Sequence, residues 1–238
     1  MKNKCWIFIA LAFTLQIKAQ TMTEWDNVSI TNLNREDAHA IAIPFGTESD
    51  IRENNIEKSP YYESLNGVWK FNWSPDPSKV PANFYSANYD VSGWDNIDVP
   101  IPWQVYGVHN GKNWDKPLYT NFNYPFTYTS TYSVMADRPS DWTYNNNMKN
   151  PVGCYRRTFT IPASWNGRDV YVRFNGAGHG YYIWINGHFT GFAEDSYLPS
   201  EFKITDYLQP GENSISVQVY RFISGSFLED QDYWRLTG

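Results

Sequence analysis

Cysteine is almost missing from this 238-residue chain, which holds two, Cys5 and Cys154. Cys5 falls in an N-terminal apolar run, so the remainder carries one thiol and forms no intrachain disulfide. Cys154 sits in GCYRRTFTIP, a strand pattern with no neighbouring histidine, and reads as a packed core thiol rather than a nucleophile. Charge is scarce at 18%, and basic residues are the minority, 19 against 25 acidic. The resulting formal charge of −6 disfavours nucleic acid and anionic membrane as partners. The only long apolar run is the one from Cys5 to Leu15, and no second one exists to span a bilayer. The four histidines, His39, His109, His179 and His188, lack metal-ligand spacing. There is no HExxH, Walker A loop, GxSxG elbow or strand-following GxGxxG. The glycine-rich stretch Gly176 to Gly180 leads into a strand pattern, so it reads as a tight loop and not as a phosphate cradle.

Aromatic residues, by contrast, are abundant: 18% of the chain, with Trp 11, Tyr 18 and Phe 14. Combined with Gly 15 and Pro 14, they favour short strands and turns over helices. Rings also stack on the C–H faces of sugars, although core packing claims most of them. The length suits one β-rich domain with extensions, burying roughly 70% of the unfolded surface without staples.

Three regions follow. Residues 1–19 pair Lys2 and Lys4 with the apolar run and end in a small residue, Ala19, as a secretory signal does. Cleavage there implies a secreted or periplasmic product and moves the formal charge to −9, because Lys2, Lys4 and Lys18 depart. Residues 20–60 show no sustained period of 2 or 3.6 and read as an extended arm. Trp25, Ile41, Ile43, Pro44 and Phe45 are anchors there that need a surface to bury against. Residues 61–238 alternate in the manner of strands. Trp69, Phe71 and Trp73 share one face; a second run from Trp94 to Trp103 is interrupted by Pro100 and Pro102, which marks an edge. Residues 105–152 read as a long polar and aromatic loop. Strands then crowd together around Tyr155–Ile161, Val170–Phe174 and Ile215–Val219. Asn186-Gly187 is a hairpin turn between YYIWI and HFTGF, and Ile204 to Leu208 is a single helical turn. The spacing predicts an all-β fold, an antiparallel β-sandwich with jelly roll as the best single architecture, carrying an extended N-terminal arm.

The chemistry-bearing residues gather late. GFAEDSYLPSEF (191–202) and GSFLEDQDYWR (225–235) set carboxylates among rings, as sugar sites do. Glu194, Asp195, Glu201, Glu229, Asp230 and Asp232 are the candidate acids. Adjacent acids on a strand face opposite ways, so Glu194 and Asp195 do not converge on one glycosidic bond as a hydrolytic pair must. Hydrogen bonding to sugar hydroxyls, or pairing with Arg221 and Arg235, is the more economical reading.

Taken in order, SLNGVWKFNW, VPIPWQ, PLYTNFNYPF, NPVGCYRRTF, INGHFTGFAEDSYLPSEF and LEDQDYWRLTG resemble the N-terminal sugar-binding domain of family 2 glycoside hydrolases of the β-galactosidase type. The resemblance implies a galactose-binding-domain-like jelly roll, packed in that family against a TIM barrel holding both catalytic glutamates of a retaining hydrolase. It implies a substrate-binding role for Asn121, from the TN-x-x-YP segment, and for Asp195, which also contributes to a sodium site. No catalytic residue is expected in this chain, and no cofactor bound by it alone, with magnesium or calcium expected only for the complete enzyme. The expected partners are a galactoside-containing glycan and the catalytic barrel region of the same or a companion chain. The arm resembles the family's subunit-interface segment, implying a homo-oligomer. Tyr197 and Lys203 depart from the family's frequent Arg and Asp. The alternatives are a freestanding carbohydrate-binding module, or an assembly piece without hydrolase activity.

Overall fold

The computed structural model describes residues 22–115, 126–127, 143–144 and 150–226. The signal-like residues 1–19, Asn121, most of the 130–148 segment, Glu229, Asp230, Asp232 and Arg235 lie outside them. Among the described residues the strands are β1 (Asn32–Leu33), β2 (Gly67–Ser74), β3 (Asp95–Val99), β4 (Phe126–Thr127), β5 (Thr143–Tyr144), β6 (Val152–Thr160), β7 (Tyr171–Phe174), β8 (Gly180–Ile185), β9 (His188–Ala193), β10 (Ser200–Lys203) and β11 (Glu212–Tyr220). Two short helices, α1 (Glu48–Glu53) and α2 (Trp103–His109), interrupt them.

Seven strands form one sheet in the order β1-β9-β8-β11-β6-β2-β3, and β10 pairs with β7 in a second, small sheet. Every pairing is antiparallel. The two sheets face each other. Val170, Val172, Phe202 and Ile204 from the small sheet and its flanks pack on Ile183, Ile185, Ile215 and Val217 of the large one. This is an antiparallel β-sandwich, as the alternation predicts.

The large sheet is covered on its other face as well. Tyr182, Trp184, Cys154 and Tyr220 form a second core with Trp25 from the arm and Phe84 from the 80–94 segment. Hence all six residues of β8 are buried. Tyr181, Ile183 and Ile185 point into one core, Tyr182 and Trp184 into the other. Period 2 persists there, but it sorts apolar from apolar. Arg156 holds the 80–94 cover in place: its guanidinium donates to the carbonyls of Phe84 (3.1 Å), Ala87 (2.9 Å) and Tyr89 (3.2 Å). Above that clamp, Tyr85 stacks on Trp184 at 4.7 Å.

Asn186 (φ 51°) and Gly187 (φ 83°) are both left-handed, the conformation that the β8–β9 turn requires. The Trp94–Trp103 run does not hold as one extended piece. β3 stops at Val99, at the sheet edge, and Trp103 opens α2 with Pro102 as its N-cap. Pro fits that entry because an N-terminal turn leaves its amide unbonded anyway. The arm likewise holds a helix that no periodicity announces. In α1, Thr47 accepts the Asp50 amide and Asn54 closes the end at φ 50°. No described helix is long and apolar enough to cross a membrane.

Candidate functional site

Three segments meet at one end of the sandwich: the Gly176–Gly180 loop entering β8, the Glu194–Leu198 turn leaving β9, and the Arg221–Ser226 turn leaving β11. The first is the tight loop that the sequence suggests, and its glycines serve close approach. A Cβ on Gly176 would come within 2.8 Å of the Ser196 carbonyl oxygen. His179, fully buried, aims Nδ1 at the Arg221 carbonyl.

Asp195 lies in the second segment. Pairing of β9 ends at Ala193, and the Glu194 amide donates to the Thr31 carbonyl at 3.0 Å. Asp195 then adopts φ 86°, a left-handed conformation unusual for a residue with a Cβ. Its carbonyl accepts the Leu198 amide at 3.3 Å, which closes the turn. The side chain is half-buried, in contrast to Tyr197 and Leu198, which are exposed. Burial pushes the Tyr181 phenol up, and the nearby Asp195 carboxylate adds to that shift. A backbone held in a sparsely used conformation by its surroundings, with a carboxylate at its tip, is a feature that functional turns share.

Glu194 is directed differently. It is buried, and its carboxylate accepts from Ser224 Oγ at 3.4 Å while lying 3.0 Å from where a Cβ on Gly225 would stand. Both acids lie past the end of β9, so it is the turn and not strand alternation that sets them. Glu201 is committed as well: on β10 it accepts from Arg173 Nη1 at 2.5 Å and from His39 Nε2 at 3.0 Å. It is a structural partner of the arm, not a ligand at this end. Asn121 lies outside the described residues, so its distance to Asp195 does not enter the geometry.

The third segment is fixed from two directions. Asn150, fully buried, donates through Nδ2 to the Phe222 carbonyl (2.8 Å) and accepts the Phe222 amide on Oδ1 (2.9 Å). Arg221 pairs with Asp115 and lies over the Phe222 ring at 5.0 Å. Asp115, an acidic partner of Arg221, lies 106 residues upstream; the late carboxylates that the sequence also offers it, Glu229, Asp230 and Asp232, lie outside the described residues. Asp115 and Ser226 are the described residues from which the Asn121 segment and the LEDQDYWR segment continue, and both belong to this end.

Among the described residues no group of three or more His, Cys, Asp or Glu could hold a metal ion. Asp195 offers one carboxylate, too few oxygens for a hard cation by itself. Cys154, fully buried in the second core, has its thiol pushed far up by burial, which makes it inert as a nucleophile.

These features define an antiparallel β-sandwich that turns a half-buried carboxylate and several aromatic-flanked turns to one end. The sequence model described as "Glycosyl hydrolases family 2, sugar binding domain" matches residues 62–238, and the chain belongs to that family. It is 41% identical over 216 residues to the β-galactosidase of Priestia megaterium, covering 90% of this chain and 20% of that protein. With the β-galactosidase of Psychromonas ingrahamii it shares 36% identity over 226 residues, covering 95% and 20%. The chain thus spans about a fifth of the length of these curated relatives. Among solved structures, Bifidobacterium dentium β-glucuronidase complexed with coumarin-3-O-glucuronide superposes at a TM-score of 0.45 with 22% identity, over 66% of this chain and 19% of that one.

Proposed function

We propose that this chain is the substrate-binding N-terminal part of a secreted or periplasmic β-galactosidase that hydrolyses terminal β-D-galactosides. The observation carrying the proposal is Asp195: a half-buried carboxylate in a left-handed turn, at the end of the sandwich where the segments leading to Asn121 and to LEDQDYWR both depart. In this reading the Asp195 carboxylate accepts hydrogen bonds from galactose hydroxyls, and the Asn121 amide donates and accepts. Among the described acids, Glu194, Glu201 and Asp115 are paired within the fold; in this reading hydrolysis belongs to carboxyl groups of a catalytic barrel region in the same or a companion chain. Sodium, if bound, takes Asp195 as one ligand and completes its shell from groups beyond the described residues; magnesium or calcium belongs to the complete enzyme. The 41% and 36% identities to β-galactosidases support the choice of galactose over other sugars.

The test uses the chain in solution. Titration with galactose, followed by backbone amide NMR, should shift the Asp195 amide with an affinity no tighter than about millimolar, since an open pair of polar contacts encloses little of the sugar. Asp195→Ala should abolish the response. The chain should not hydrolyse o-nitrophenyl β-galactoside. Turnover by the chain alone, or a galactose response elsewhere that survives Asp195→Ala, would overturn the assignment.

A further inference from the structure

The arm makes two separate backbone contacts with the candidate site. Near its start, the Trp25 carbonyl accepts the Ser224 amide at 2.8 Å. Six residues on, the Thr31 carbonyl accepts the Glu194 amide at 3.0 Å, just before Asp195. The contacted turns are themselves joined, Ser224 Oγ to the Glu194 carboxylate at 3.4 Å. The result is a closed circuit: arm, 224 turn, Glu194, arm.

Both ends of the arm segment are firmly anchored. Trp25 is buried, stacks on Tyr220 at 5.1 Å with the rings 16° apart, and donates its amide to the Tyr182 hydroxyl at 3.0 Å. That hydroxyl in turn donates to Glu24 at 3.0 Å, so one phenol fastens two successive arm residues. Downstream, β1 pairs with the last residues of β9, and Asn34 (φ 57°) donates through Nδ2 to the Thr190 carbonyl at 3.0 Å. A stretch of about a dozen residues, held at each end, passes both the turn that contains Asp195 and the Ser224 turn joined to it through Glu194. Backbone hydrogen bonds of this kind tolerate no side-chain rearrangement: they persist only while the arm lies in place.

From this geometry we propose that residues 24–34 act as a strap that positions Asp195, with Trp25 and Asn34 as positioning residues. The strap sets the backbone entering the left-handed Asp195 turn and couples it to the 224–226 turn, so that the two move together or not at all. The proposal deepens the galactoside reading and rests on it for its purpose, but the mechanical claim is tested without sugar.

Hydrogen exchange of the chain gives that test, because the Glu194 and Ser224 amides are themselves the strap's donors. In Trp25→Ala, exchange should rise about tenfold or more at both amides while amides of β6 and β11 keep their protection. In Asn34→Ala, released from the other end, the same two amides should again accelerate together. Acceleration of Ser224 alone in the first variant, or of Glu194 alone in the second, would mean two unconnected contacts and would overturn the strap. So would no change at either. Should Trp25→Ala lose its fold, Asn34→Ala carries the decision, since its hydrogen bond lies at the sheet edge. A galactose titration of Asn34→Ala adds the site readout: its dissociation constant should rise about threefold or more with the melting temperature nearly unchanged. If the wild-type chain shows no galactose response at Asp195, the galactoside reading falls while the exchange result still judges the strap.

Discussion

The side-chain amide of Asn150 binds one residue twice, donating to the Phe222 carbonyl at 2.8 Å and accepting the Phe222 amide at 2.9 Å. An asparagine here stands in for a short length of neighbouring strand, continuing the sheet's hydrogen bonding past the end of β11. All of it is buried. Asn150→Ala removes both bonds from inside the fold, where each lost bond costs about 1–3 kcal/mol. We expect a destabilisation of about 2–4 kcal/mol, read as a lower urea midpoint with an unchanged m-value.

His39 ties the arm to β10, and its ring is held above the ordinary 6.5 by its hydrogen bond with the Ala40 carbonyl and then by the Glu201 carboxylate; Arg173, sharing Glu201, works against this. When protonated, both ring nitrogens donate, Nδ1 to Ala40 (2.9 Å) and Nε2 to Glu201 (3.0 Å). A histidine pKa raised on folding stabilises the fold fully below the unfolded value and loses that contribution as pH climbs through the folded one. The arm near His39 should therefore be cut faster by protease at pH 8 than at pH 6. In His39→Gln this difference should vanish.

Cys154 is fully buried in the core between β8, β11 and the arm. Burial keeps its thiol protonated, so Ellman's reagent should find no reactive thiol in the folded protein lacking residues 1–19, and one in denaturant. Cys154→Ser, which places a hydroxyl there, should cost about 1–3 kcal/mol.

Gly191 admits the arm to the edge of β9. A Cβ there would stand 2.7 Å from the Leu33 carbonyl oxygen and 2.5 Å from Phe202 Cε1. Backbone on one side and a fully buried ring on the other leave nothing free to yield. Gly191→Ala should cost about 1–3 kcal/mol, and exchange should rise first at the β1–β9 pairing.

What the sequence reveals of this fold is mostly local. Asn186-Gly187 announces its turn because left-handed φ is a property of those two residues alone. Pro100 and Pro102 mark β3 as an edge, but the apolar alternation that continues to Trp103 conceals a helix start, since Pro102 is still extended and Trp103 is only the first helical residue. Trp25 is recognisable as a residue in need of cover; that its cover is Tyr220 of the same chain is not, because no pattern links positions so far apart. The same holds at the site. Asp195 is a candidate because of the motif around it. Its left-handed backbone, the Asp115–Arg221 pair and the Asn150–Phe222 bonds are tertiary facts, made by residues whose own segments look ordinary. Of the arm's large apolar residues, Ile41 and Ile51 are more than half exposed.

The stacking of Trp25 on Tyr220 also has a temporal side. A ribosome makes the tryptophan well before the tyrosine, so the arm has no seat until β11, at the middle of the large sheet, has emerged. Until then its apolar anchors stay open to chaperones and proteases. Quality control thus has one event to read: whether the arm has found β11.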